Sequence, residues 1–115
     1  MQAMKALTVV SPKGSVTIAR EVVQQLAIET IDRCYGVVGV APPSAVGRLL
    51  RRHRVGVGGD AGGMRIEVHV IVEYGLNLAE VAATVRSRLS YDLERIVGLP
   101  VAAVEVFVED VRVTL

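Results

Sequence analysis

From Arg65 to Tyr74 the chain alternates without a break: Ile66, Val68, Val70, Val72 and Tyr74 stand between Arg65, Glu67, His69, Ile71 and Glu73. A period of two predicts a strand with one face buried and the other mostly wet. Gly75 breaks that strand, and Asn77 followed three residues later by Glu80 has the form of a capping box at a helix start. The helix then carries Leu78, Val81, Ala82, Val85, Leu89, Leu93 and Ile96 on one stripe until Gly98 and Pro100 stop it. A second alternating stretch follows, with Ala102, Val104, Val106 and Val108 on one side and Ala103, Glu105, Phe107 and Glu109 on the other.

The first half of the chain is less regular. Residues 1–13 read as an N-terminal strand or tail, with one apolar run at 6–10. Residues 14–18 read as a short strand with Val16 and Ile18 inward. An amphipathic helix carries Val22, Val23, Leu26, Ala27, Thr30, Ile31 and Cys34 on its apolar stripe. Arg20, Glu21, Gln24, Gln25, Glu29 and Arg33 fall on its other side. Gly36 ends it, and a short apolar run at 37–41 leads into Pro42 and Pro43. Residues 45–52 suit a short helix, and 54–58 a short strand. The glycine-rich stretch 58–63 then predicts a β-hairpin with a loose loop.

Two helices with one apolar stripe each need a sheet face to cover them. The expected fold is therefore α+β, a two-layer sandwich in the order β-α-β-(short α)-β-β-α-β. Both main helices lie on one face of a small mixed or antiparallel sheet, within a single domain over 14–115. Val70, Val72, Val104, Val106, Val85 and Leu26 share one core in this arrangement. The open face then holds two apolar side chains among its charges, Ile71 and Phe107. That pattern marks them as candidates for a protein interface.

Composition narrows the function classes. A chain of 115 residues is one domain, large enough to fold without staples. Half of it (51%) is hydrophobic, with one Phe and no Trp, so the core is aliphatic. A net charge of +1 argues against an electrostatic grip by the whole molecule on nucleic acid or membrane, while permitting a local patch. The single cysteine, Cys34, forbids an internal disulfide and suits a reducing compartment. No apolar run of roughly eighteen residues offers a membrane span, and the first residues lack the form of a signal peptide. The expected location is cytoplasmic, with peripheral attachment at the inner membrane face as an extension.

Each catalytic template fails on the residues. The glycines at 56–63 are followed by Met64 and a strand, whereas a phosphate loop needs Lys, then Ser or Thr, and a helix. Glu67, Glu73, Glu105 and Glu109 share a wet sheet face with Arg65 and His69, whereas acid–base work needs a carboxyl held in an apolar or like-charged site. Cys34, His53 and His69 lie far apart, without the short ligand spacing of a zinc site. Nothing in sequence near Cys34 would activate it as a nucleophile. No catalytic, cofactor-binding or metal-binding residue is assigned, and no cofactor is expected. The strongest local anomaly is basic: Arg48, Arg51, Arg52 and Arg54, with His53 among them, lie close together and without an acidic neighbour. Such a cluster suits an anion or a partner, or it is a solvated helix face. No aromatic residue stands in it to stack bases.

Four short patterns occur in order: Gly14-Ser15-Val16-Thr17-Ile18-Ala19, Gly36-Val37-Val38-Gly39-Val40, Val72-Glu73-Tyr74-Gly75 and Gly98-Leu99-Pro100-Val101. Together they resemble the bacterial alkaline-shock, envelope-stress-response family over residues 14–113. The resemblance implies a small non-enzymatic cytoplasmic protein with an α+β domain. It implies self-association, and for some members attachment to a membrane-anchored protein relative; others are encoded beside kinase-type proteins of lipid or dihydroxyacetone metabolism. The family has no agreed catalytic residues to carry over. The preferred expectation is an interaction and scaffold protein working at or near the inner face of the membrane. The alternatives are a small nucleic-acid-binding domain using the segment from Arg48 to Arg54, or an accessory subunit of a kinase or lipid-metabolism enzyme.

Overall fold

The computed structural model describes residues 6–40, 55–60 and 62–113. In chain order these form β1 (Ala6–Ser11), β2 (Gly14–Ala19), α1 (Arg20–Asp32), β3 (Val37–Val40), β4 (Val55–Asp60), β5 (Gly63–Glu73), α2 (Leu78–Val97) and β6 (Val101–Arg112). The class is α+β, with both helices on one side of the main sheet. The short helix expected at 45–52 lies outside the described residues.

The alternating strand β5 is the axis of the fold. Its first half pairs antiparallel with β4, from Asp60–Gly63 to Val55–Val68. Its second half pairs antiparallel with β3, at Val40–Val70 and Val37–Val72. Strand β6 pairs with it in parallel, from Met64–Val101 to Glu73–Arg112. A strand has two edges, so β3 and β4 share one and β6 occupies the other. The main sheet is mixed, and among the described residues β6 is the outer strand on its side of β5.

Met64, Ile66, Val68, Val70 and Val72 project from one face of β5 and are fully buried. They meet Val23, Ala27 and Ile31 of α1 and Val81, Val85, Leu89 and Leu93 of α2 in one cluster. Leu26, Val104, Val106 and Val108 pack against that cluster while staying partly exposed. The core therefore contains the residues that the periodicity assigns to it, with β6 at its rim.

Local signals set the ends of α2. The Asn77 side chain accepts a hydrogen bond from the Glu80 amide at 3.0 Å, as the capping pattern requires. Gly98 closes the helix with φ of 82°, and its N–H donates to the Glu94 carbonyl. Gly63 is demanded by a neighbour. At φ of 127° a Cβ there would lie 2.7 Å from the Pro100 carbonyl oxygen, which accepts the Met64 amide at 2.8 Å.

Several expectations are corrected. The ladder of β4 and β5 runs through the glycines to the Asp60–Gly63 pair, so the hairpin is tight where a loose loop over 58–63 was expected. Gln24, placed on the polar side of α1, is buried and donates from Nε2 to the Val55 carbonyl at 2.8 Å, tying the helix to the start of β4. Val22, Leu78 and Ile96 are exposed, each falling in the first or last turn of its helix. Tyr74 falls just past β5 and is exposed. Ala6–Ser11 is a strand paired along its whole length with β2. Within that hairpin Leu7 and Ile18 reach the core, whereas Val16, expected inward, is exposed.

Candidate functional site

The face of the sheet away from α1 and α2 carries a cluster of chemically versatile side chains. His69 stands at its centre. The ladder sets His69 beside Phe107, and the two rings stack with centroids 4.8 Å apart and planes inclined by 11°. Imidazole Nδ1 is hydrogen-bonded to a Glu109 carboxylate oxygen. Nε2 lies 3.5 Å from Oε2 of Glu67. One ring thus links two carboxylates and an aromatic face.

A bulge brings Glu109 into this group. Val70 pairs with Val108 but Ile71 pairs with Asp110, so the ladder skips Glu109. An extra residue in one strand turns its side chains relative to the partner. The signal is visible in the sequence, where the alternation of β6 stumbles on the successive acids Glu109 and Asp110.

Of the two apolar candidates on this face, Phe107 is presented, at 41% exposure, whereas Ile71 is covered, at 5%. Ile71 is flanked on both edges, by Gly39 of β3 and Asp110 of β6. Among the described residues, the strand that carries Phe107 has β5 on one side and no strand on the other. Arg48, Arg51, Arg52, Arg54 and His53 lie outside the described residues.

The outer edge of β6 is guarded at its two ends. The Val101 amide donates to Glu94 of α2 at 2.9 Å, and the Val111 amide donates to the Asp110 carboxylate at 2.8 Å. Among the described residues no strand pairs with this edge between those points.

A second polar group lies between the helices. Thr30 donates to the Asp92 carboxylate at 3.3 Å, and Arg88 stands 3.9 Å from the same oxygen. Cys34 donates from Sγ to the Thr30 carbonyl at 3.4 Å. Burial pushes the Cys34 thiol pKa up, with Arg88 pulling it down and Asp92 adding to the rise. A protonated, buried thiol is a packing group, poorly suited to nucleophilic attack. Asp92 escaped the sequence reading because it sits one position from Leu93 on the buried stripe of α2.

Among the described residues, no three of His, Cys, Asp and Glu are grouped to hold a metal ion. No described helix is long and apolar enough to cross a membrane. The outer face is chemically a displayed aromatic with a charged rim.

The fold is similar to that of the MamM CTD. A variant in its manganese form superposes with a TM-score of 0.56 at 14% identity, covering 82% of this chain and 98% of that one. A doubly substituted MamM CTD gives a TM-score of 0.56 at 15% identity, covering 83% and 94%. At that identity the likeness concerns the fold alone. Sequence relatives are nearer. The uncharacterized protein YloU of Bacillus subtilis is 31% identical over 109 residues, 88% of this chain and 91% of that protein. The uncharacterized protein Spy1614 of Streptococcus pyogenes serotype M6 is 26% identical over 108 residues, 87% and 89% of the two chains. A family model described as having a cell envelope-related function matches residues 8–113. The chain belongs to the alkaline shock protein 23 family.

Proposed function

We propose that the protein is a non-enzymatic contact module of the cell envelope, working through protein–protein interactions at or near the inner face of the membrane. The observation that carries this reading is the state of the outer sheet face. Its histidine, the residue best suited to proton transfer near neutral pH, is engaged by Glu67, Glu109 and Phe107. What the face offers to solvent is an exposed aromatic ring with acids around it. Protein contacts commonly use that combination, an aromatic anchor inside a polar rim. Membership of an envelope-related family supports the setting.

The test is recovery of the tagged protein from its native cells beside a Phe107→Glu variant, with mass spectrometry of what co-elutes. The expected result is a defined set of envelope-associated partners that the substitution depletes. An identical set from both proteins would count against this face. Turnover in a broad hydrolase, transferase and redox screen that disappears in His69→Ala or Glu109→Gln would overturn the non-enzymatic reading.

A further inference from the structure

We infer that the outer edge of β6 pairs antiparallel with β6 of a second copy, with Val106 opposite Val106 of the partner subunit. The inference deepens the contact-module reading and rests on it, but concerns the strand edge where that reading concerns the sheet face. Exposed edges invite pairing, and proteins usually blunt them. Here, among the described residues, the blunting is at the ends, at Val101 by Glu94 and at Val111 by Asp110. The regular stretch between the two ladder irregularities runs from Ala103 to Val108 and is left uncapped by those carboxylates. Val106 is the middle one of its three valines, Val104, Val106 and Val108.

The backbone direction agrees. The Arg112 carbonyl accepts the Tyr74 amide at 2.7 Å, so Arg112 turns its backbone groups toward the β5 side. Residues on one face of a strand direct their N–H and C=O groups to the same edge. The residues on the outer face with Arg112 therefore address β5, and Val104, Val106 and Val108 on the opposite face address the open edge. An antiparallel partner centred on Val106 sets Val104 opposite Val108 of the partner subunit and satisfies all three. A two-fold axis makes such a contact self-complementary and closed, giving a dimer rather than a fibre.

Charge selects this register over its neighbours. Moving the axis to Phe107 would set Glu105 directly opposite Glu109 of the partner subunit, twice. Moving it to Glu105 would set that carboxylate opposite itself. Like charges directly across a strand pair are destabilising. With the axis at Val106, Glu105 faces Phe107 and Ala103 faces Glu109 of the partner subunit, so no carboxylate stands directly opposite another. The same register joins Val104, Val106 and Val108, only partly buried in one chain, to their counterparts on the helix-covered face.

Disulfide trapping tests the register. Glu105→Cys and Phe107→Cys variants of the full chain are oxidised separately and as an equal mixture, with the unsubstituted chain controlling for Cys34. Opposed residues in a non-hydrogen-bonded antiparallel pair lie about 4.5 Å apart at Cα, within reach of a disulfide. The mixture should cross-link several-fold more than either variant alone. Self-cross-linking of either variant above the mixture, or none in any sample at high micromolar concentration, would overturn the pairing. A second readout leaves the backbone alone. Ala103→Lys, facing Glu109 of the partner subunit, should tighten the dimer roughly threefold or more by sedimentation, and Ala103→Glu should weaken it comparably. Equal effects of the two would also overturn it. Failure of the register with association or partner capture intact would leave the contact-module reading standing.

Discussion

His69 and Phe107 lie in register on neighbouring parallel strands and stack face to face, 4.8 Å between ring centroids. The pair joins the outer strand to the central one on the side that neither α1 nor α2 covers. Replacing Phe107 by Leu keeps an apolar side chain and removes the ring. Because Phe107 is 41% exposed, the burial term changes little and the lost stacking sets the cost. Urea unfolding should show a loss of about 0.5–1.5 kcal/mol. A loss above about 3 kcal/mol would mean that Phe107 is a core residue in solution, covered by something beyond one chain.

The same stripe of α2 offers an internal control on burial. Leu89 is fully buried and Ile96, about two turns further on, is 48% exposed. Leu89→Ala should cost about 2–5 kcal/mol through lost transfer and an unfilled cavity, whereas Ile96→Ala should cost less than about 1 kcal/mol. Similar losses in denaturant titrations would show that the helix end packs on a surface outside the described core.

Gly63 and Gly98 separate backbone strain from collision. Both have positive φ, but a Cβ at Gly98 meets nothing within 4 Å, while one at Gly63 would stand 2.7 Å from the Pro100 carbonyl oxygen. Gly98→Ala should therefore cost only the left-handed conformation, about 1–2 kcal/mol. Gly63→Ala adds a backbone clash at the point where β6 joins β5, and should cost at least about 1 kcal/mol more. Equal midpoints for the two variants would show that the Met64–Pro100 contact gives way freely.

These contrasts also explain how far the sequence could be read. Strand β5, helix α2 and strand β6 were legible because one periodic face of each meets a single core, and Asn77 and Gly98 mark the helix with their own chemistry. The Val16 and Gln24 placements failed for a shared reason: local periodicity cannot report where the covering layer stops. Val16 lies on a hairpin only partly in contact with the core, and Gln24 is drawn inside by the Val55 carbonyl. Phe107 was recognisable as an outer-face aromatic, whereas its partnership with His69 depended on a parallel register that alternation does not encode. The bulge at Glu109 left a trace in the two successive acids, but only the ladder shows that it turns a carboxylate onto His69.

Cys34 makes a pH prediction whose sign is fixed by burial. Its thiol pKa is raised in the folded protein, chiefly by desolvation, with Arg88 opposing and Asp92 reinforcing the shift. The folded chain therefore holds the proton at pH values where the unfolded chain has begun to release it. Stability depends on the difference in bound protons, unfolded minus folded, and that difference turns negative above the unfolded thiol's range. The contribution is constant below about pH 8.5 and declines as pH rises above it, toward the raised folded value. Lysines and tyrosines titrate in the same region, so the informative quantity is the difference between the unsubstituted chain and Cys34→Ser. Comparing urea midpoints at neutral and alkaline pH, the unsubstituted chain should lose more stability than the variant. In the folded chain at neutral pH the thiol should also react slowly with a small alkylating agent, and unfolding in denaturant should release that protection. Rapid alkylation of the native protein, or parallel alkaline losses in the two chains, would place Cys34 in contact with solvent and remove it from the layer between α1 and α2.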